Sequence, residues 1–392
     1  MQHSKVIIVG GGLAGLYAAS RLERLNIPYL LLEAQSHLGG RIWAAIGDRK
    51  QSESPSHDLG PTWIFPHQSK IQALAKDLKV NLFEQYTTGD VLFQAPNTTQ
   101  PTQIAGAGVM QLFRVESGMY QLINKLYSQL ANAGAAHKIK RSHCVNRIEK
   151  DSVKNAWQLT VSDFTQDKQH IAGELDNTIE DTNKHIIFNA EHLLLALPPR
   201  IIQRDFAVQT WGSTLLEQRL RSVPTWMAAQ AKFIATYQRP FWREKGLSGQ
   251  AFSQVGPMIE MHDASSTENS GHALFGFIGI SAKRRSEIGE TQLIQACLDQ
   301  LAFFYGEDAY KIQNCHIKDW GQDPFITTEY DRNEAAKHPE FNIHGLESEL
   351  KTLNVHFAGS EFSHQDPGYL EGALHAADQA IDSIKNSLLS PQ

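Results

Sequence analysis

The 392-residue chain predicts a two-domain α/β protein, in which a parallel-sheet nucleotide-binding domain is joined to a domain built on a mixed or antiparallel sheet. Three observations carry the prediction. A strand, a glycine turn, a helix, a second strand and an acid follow one another near the start; short strands crowd residues 233–280; and a second strand-turn-helix unit begins at Leu353. With its two halves at opposite ends, the nucleotide domain is expected to be discontinuous, taking residues 1–86, 118–221 and 331–392 and leaving 87–117 and 222–330 to the second domain.

The first unit has a mechanical reason for each part. Val6 to Val9 is a β-branched apolar run short enough for a buried parallel strand. In the Gly10-Gly-Gly12-Leu13-Ala14-Gly15 turn, Gly10 permits the tight bend and Gly12 lets a pyrophosphate approach bare backbone. Gly15 lets helix and strand pack closely, and the helix that opens at Leu13 and Ala14 offers free N–H groups to phosphates. Tyr29 to Leu32 is the second strand, and Glu33 ends it where a carboxylate can take both hydroxyls of an adenosine ribose. The parts fall in register inside one unit of ~30 residues, the context this glycine motif requires; a glycine-rich turn that binds nothing is the alternative.

A polar loop follows at 47–57, then a helix at 69–78 with Ile71, Leu74 and Leu78 on one face. Residues 87–113 read as loop and short strand. A helix at 117–133 stops at Gly134. Strands are expected at 138–145 and 157–161, then a polar excursion at 163–183, a strand at 186–187 and a buried strand at 192–197 that Pro198 and Pro199 end. The strand block is 233–237, 249–252, 258–261 and 274–280, with a helix at 291–304 behind it. Finally 353–357 is a strand, Gly359-Ser360 a turn, and Gly368 opens a helix whose Leu374, Ala377, Ile381, Ile384 and Leu388 keep helical spacing.

Hydrophobic content of 41% and charged content of 20% describe an ordinary globular chain. A net charge of -6 gives no basis for nucleic-acid binding, and Lys283-Arg-Arg285 reads as a solvated helix start. The nucleotide strand begins at residue 5, and the apolar runs at 193–198 and 273–280 are too short to span a bilayer. A cytoplasmic protein with no membrane partner is therefore expected. Cys144, Cys297 and Cys315 make no CxxC spacing and the 17 histidines are scattered, so no metal is proposed.

Five blocks together resemble the flavin-containing amine oxidases, the family of monoamine and polyamine oxidases. They are 6–41; Asp58-Leu-Gly-Pro-Thr-Trp63; 193–199; Lys232-Phe-Ile-Ala-Thr-Tyr-Gln-Arg-Pro-Phe-Trp242; and 320–330 with 357–380. The last block, Phe357-Ala-Gly-Ser-Glu-Phe then Gly368-Tyr-Leu-Glu-Gly-Ala, is the most specific. The resemblance implies a two-domain, Rossmann-like FAD-binding fold of the glutathione-reductase type, a small-molecule amine substrate and dioxygen as oxidant; whether the chain forms a homo-oligomer stays open. It places the cofactor against Gly10, Gly12, Leu13, Ala14, Gly15, Glu33 and Ala34, against Gly40 and Arg41, and against Gly60, Pro61, Thr62 and Trp63. Val145, Trp320, Gly359, Ser360, Tyr369 and Leu370 complete that set, the last helix pointing its N-terminus at the flavin pyrimidine.

By the same resemblance Lys232 bonds a water beside flavin N5, and Tyr330 and Tyr369 form an aromatic cage in front of the flavin. A lysine between Ala231 and Phe233 is conspicuous, since burying an ammonium is costly; an edge lysine whose head reaches water is the alternative, and each tyrosine taken alone also suits packing. Two features depart from the family. Glu329 stands where the covalently flavinylated members have a cysteine, which implies noncovalent FAD. The stretch 87–115 contains Gly89, Pro96, Pro101, Gly106 and Gly108, so the helical roof of larger members is expected to be replaced by a loop lid over an open site. Such a site favours a bulky or extended amine over a small one. A flavin desaturase or protoporphyrinogen-type oxidase, and a noncatalytic flavoprotein that senses redox state, are the rival readings.

Overall fold

The computed structural model describes residues 2–45, 56–106, 111–151, 153–165, 185–267, 270–334 and 337–389. The chain divides into two compact units, Met1–Gly40 with Ile123–Trp226 and Ala335–Gln392, and Arg41–Leu122 with Met227–Glu334. Most of the loop expected at 47–57 and of the excursion expected at 163–183 lies outside the described residues.

The first unit is organised by one long strand, His185–Leu195. Along one edge it runs parallel to Gln2–Val9, from Phe188 opposite Gln2 to Leu195 opposite Val9. Along the other it changes partner: His185 to Ala190 pair antiparallel with Ala156–Asp163, and Leu193 to Leu195 pair parallel with Val355–Phe357. The two strands expected at 186–187 and 192–197 are therefore one, because a new neighbour takes over the ladder where the polar Asn189 and Glu191 interrupt the apolar run. Gln2–Val9 pairs in turn with Tyr29–Leu32, and that with Ile139–Lys140. The strand expected at 138–145 is split at Ser142, whose φ of 55° is left-handed, into Ile139–Lys140 and His143–Asp151.

Ile7, Trp157, Leu193 and Leu195 are fully buried in the core of this unit, each such side chain contributing about 1.5–3 kcal/mol of burial. The helix Leu13–Arg24 follows the glycine turn, and Leu370–Leu389 lies beside it, tied through Arg21 to Asp378 at 2.5 Å. Leu374, Ala377, Ile381 and Ile384 face inward, at the spacing the sequence predicts.

The second unit carries a mixed sheet in the order Asn314–Asp319, Ala231–Thr236, Ala273–Ile278, Met258–Asp263, Leu247–Ser253, Asp90–Gln94, Thr102–Ile104. Every pairing is antiparallel except that of Leu247–Ser253 with Asp90–Gln94. The helix Glu290–Tyr305 packs its Leu293, Cys297, Leu301 and Phe304 against the sheet. Residues 41–86, expected with the nucleotide domain, pack in this unit instead. Ala44 bridges Asp58, Ile64 bridges Phe113, and the Met119 N–H binds the Asp58 carboxylate at 2.7 Å. Among the described residues of 87–115 there is no helix; three short strands, Asp90–Gln94, Thr102–Ile104 and Phe113–Val115, take its place. No described helix is long and apolar enough to cross a membrane.

Candidate active site

In the first unit the glycine turn has the geometry a dinucleotide requires. Gly10 sits at φ 106°, and a Cβ there would lie 2.6 Å from the Ala196 carbonyl oxygen. A Cβ on Gly15 would run into the Gly10 carbonyl, so only glycine lets the helix start this close to the strand. Gly12 differs: a Cβ there would meet the Gly39-Gly40 backbone at 3.8–4.0 Å, ordinary contact, at a helix start that no side chain caps and where Leu13 and Ala14 are buried. The Gly39-Gly40 loop folds back over the turn, with Gly39 N–H donating to Gly11 O at 2.9 Å. Arg41 follows and heads the second unit.

Glu33 is 8% exposed and holds this turn directly. One carboxylate oxygen accepts from Gly11 N–H at 2.6 Å and the other from Gln35 N–H at 2.8 Å, with half-buried Ala34 between. A carboxylate has about four acceptor positions, so ribose hydroxyls can share it. These residues fit the adenosine end of FAD: a glycine turn without side chains, a helix start that no side chain caps and an acid at the end of the second strand.

Val145 is packed in the core where the hairpin register shifts between Val145 and Arg147. Gly359 follows Ala358, whose N–H binds Leu195 O at 3.0 Å, and the Ser360 hydroxyl donates to buried Glu361 at 2.9 Å. Tyr369 precedes Leu370, the first residue of the last helix. Its ring stacks on His338 with centroids 5.7 Å apart and lies 5.9 Å from Trp226, while His338 and Trp226 stack at 3.9 Å. Sequence reasoning missed Trp226 and His338, since nothing local links positions so far apart in the chain.

In the second unit Lys232 is 2% exposed on the strand Ala231–Thr236. Its ammonium donates to the Gly60 carbonyl at 3.2 Å and to the Thr62 hydroxyl, and stands 4.1 Å from the centroid of Phe275 and 5.8 Å from that of Phe277. Burial pulls its pKa down to about 7; Asp58 opposes the fall and Arg114 adds to it. The structure thus joins Lys232 to Gly60 and Thr62, on either side of Pro61, and closes the apolar surround with Trp63, whose ring lies 5.5 Å from Phe275 and whose indole N–H binds Gln85 at 2.9 Å. Trp320 anchors the same loop, its indole N–H donating to Leu59 O at 3.0 Å.

Tyr330 lies on the short helix Glu329–Asn333, started by a capping box of Thr328 and Asp331, and is half-exposed. Asp58 heads the block Asp58–Trp63 quoted above, whereas Arg114 and Phe275 are not singled out by the sequence. Phe275 alternates with Phe277 on the strand that pairs with Lys232, which is a usable signal; Arg114 has none.

Residues 13–104 and 105–384 match the family model of the flavin containing amine oxidoreductases. An L-amino acid dehydrogenase of Synechocystis sp. is 23% identical, covering 96% of this chain and 94% of its own length. A probable flavin-containing monoamine oxidase A of Dictyostelium discoideum is 24% identical over 98% of both chains. A solved structure of a putrescine oxidase variant superposes with a TM-score of 0.76 at 17% identity, covering 98% of this chain and 99% of the other, and shows the same fold. The chain belongs to the flavin containing amine oxidoreductase family.

Proposed function

We propose that this chain oxidises an amine with noncovalently held FAD and dioxygen. The observation that carries the reading is Lys232: an ammonium buried on an apolar strand, held by Gly60 and Thr62 and faced by Phe275. Desolvating a lone ammonium costs several kcal/mol, more than a structural lysine needs to spend there. FAD, when bound, supplies the hydride acceptor for the carbon next to the amine nitrogen and the route of electrons to dioxygen.

The chain's own residues bind, orient and exclude water. Gly12, the Gly39-Gly40 loop and the Leu13 helix start hold the pyrophosphate, and Glu33 the ribose. By the family resemblance, Val145, Gly359 and Ser360 of the first unit would line the remainder of the cofactor, and so would Arg41, Trp63 and Trp320 of the second. Lys232 orders a water for the reacting face; near neutral pH its nitrogen can hold or release a proton, which suits that task. Tyr330 and Tyr369 give aromatic walls to the amine and keep water from the reacting carbon.

The absence of a helix among the described residues of 87–115 supports a bulky or extended amine, such as a polyamine or peptide-like group, over a small monoamine. The similarity to an L-amino acid dehydrogenase favours a second reading, in which the amine is an amino acid and the oxidant is not dioxygen. Purified yellow protein assayed for peroxide with putrescine, a longer polyamine, a phenylalkylamine and L-amino acids separates them. Peroxide formed with an amine supports the first reading. Reduction of an artificial dye with an amino acid, without peroxide, supports the second, and no turnover with either oxidant counts against both.

A further inference from the structure

The end of the first unit's sheet opposite the glycine turn holds a cleft that the cofactor and amine sites leave unused. It exists because the strand Tyr29–Leu32 is short. Gln2–Val9 pairs with His185–Leu195 from Gln2 onward but with Tyr29–Leu32 only from Val6 onward, so among the described residues no strand lies beside Gln2, His3 and Ser4 on that edge. The chain turns away there at Asn26, whose φ of 54° is left-handed, and returns through Pro28, whose carbonyl accepts the Val6 N–H at 3.1 Å. The cleft that remains has a volume of about 480 Å³, within the range of small-molecule sites.

Its lining sorts by chemistry. Ile27, Pro28 and Phe188 give it an apolar wall. Two lysines, Lys138 and Lys140, and two imidazoles, His3 and His137, face it with a single acid, Glu23. That acid is already paired, since it accepts from the Lys138 ammonium at 2.7 Å. Lys140 is half-buried and forms no ion pair among the described residues. His137 commits Nδ1 to the Gly134 carbonyl at 2.9 Å, which leaves Nε2 for another partner. Tyr29 also lines the cleft and is 4% exposed, with the Lys138 ammonium 5.1 Å from its ring centroid. Its hydroxyl is buried without a hydrogen bond of ordinary geometry to any described residue, while burial and the nearby Glu23 charge keep it protonated. Donors therefore outnumber acceptors, in a chain whose net charge of -6 does not draw anions in general.

We propose that this cleft binds a small organic oxyanion, a phosphate monoester or a carboxylate with an apolar body, its head held by Lys140 with the His137 and Tyr29 donors and its body by Ile27, Pro28 and Phe188. The strand separates Ser4 from the glycine turn at Gly10 by about 20 Å, so the phosphates of FAD do not reach this cleft.

The test is calorimetric titration of the holoenzyme, whose glycine turn FAD fills, with phenyl phosphate, benzoate, inorganic phosphate and phenol. Phenyl phosphate or benzoate should bind more tightly than inorganic phosphate and phenol, because head and body both contribute, and the tighter of the two names the head. Loss of one hydrogen bond to a charged group weakens binding by about 10- to 150-fold. Lys140→Met should therefore raise the Kd of the tighter probe about tenfold or more and Tyr29→Phe should raise it several-fold, whereas Lys283→Met, an exposed lysine of the second unit, should leave it unchanged. No heat from any probe at millimolar concentration overturns the proposal. So does a Kd that Lys140→Met leaves unmoved, which would place the probe elsewhere, or one that Lys283→Met raises equally, which would make the effect one of net charge. Tyr29→Phe carries the test by itself if Lys140→Met fails to fold, and neither readout requires turnover.

Discussion

Replacing Glu33 with alanine separates the two tasks the structure gives it. Without ligand, the carboxylate holds Gly11 N–H at 2.6 Å and Gln35 N–H at 2.8 Å. Gln35 is half-buried and its N–H can turn to water, whereas Gly11 is buried and is left unsatisfied. One hydrogen bond to a charged acceptor is therefore lost, and the apoprotein should be destabilised by about 1.5–3 kcal/mol. With FAD, the ribose hydroxyls lose a charged acceptor as well, a further loss of about 1.5–3 kcal/mol, or about 10- to 150-fold in Kd. Glu33→Gln keeps the shape but presents an amide donor toward one of the N–H groups, and should fall between alanine and the parent. Urea unfolding of the apoprotein reads the first effect and quenching of flavin fluorescence on titration reads the second. An unchanged FAD Kd would show the ribose held elsewhere, and an unchanged urea midpoint would show the turn held without Glu33.

Acid precipitation should leave the yellow colour in the supernatant, because Glu329 rather than a cysteine precedes Tyr330; colour in the pellet would mean a covalent bond. Lys232→Met should retain the fold and the FAD spectrum while slowing flavin reoxidation by dioxygen, and reoxidation at the parent rate would make the lysine structural. Stability should also report on Lys232. Its folded pKa of about 7 lies below the ordinary 10.5, so between these values the unfolded chain binds a proton that the folded chain does not, and unfolding free energy gains with rising pH. Lys232→Met should flatten that rise, measured as urea midpoints across the window; an identical slope in both proteins would contradict the buried charge. His192 and His356, 3.2 Å apart and held at about 4 and about 3 by burial, work in the opposite window: their neutral forms contribute stability that is lost as pH falls below the ordinary 6.5. His356→Phe should weaken that acid sensitivity.

The nucleotide turn was legible because its requirements are local. Gly10, Gly12 and Gly15 each answer a constraint set within a few residues, and the last helix shows its buried face in its own spacing. What escaped the sequence depends on partners far away in the chain. The strand His185–Leu195 reads as two because polar Asn189 and Glu191 interrupt its apolar run, where its neighbour changes from an antiparallel hairpin to a parallel strand far away in the chain. Asn314–Asp319 is an edge strand of mostly polar residues and has no apolar run to reveal it. Lys232 is conspicuous from its apolar neighbours, yet nothing local points to its acceptors at Gly60 and Thr62, which lie far away in the chain. Residues 41–86 follow the nucleotide motif in sequence and so read as part of the first domain, while the bridges of Ala44 to Asp58 and Ile64 to Phe113 tie them to the second.

The most direct test of amine oxidation is anaerobic mixing of the yellow holoenzyme with a polyamine, followed by admission of air. The yellow absorbance should bleach in proportion to amine added, at a rate that rises with amine concentration to a plateau, and air should restore the colour with release of hydrogen peroxide. Absorbance that stays unchanged with every amine and amino acid offered, in protein whose FAD is reduced normally by dithionite, would contradict it.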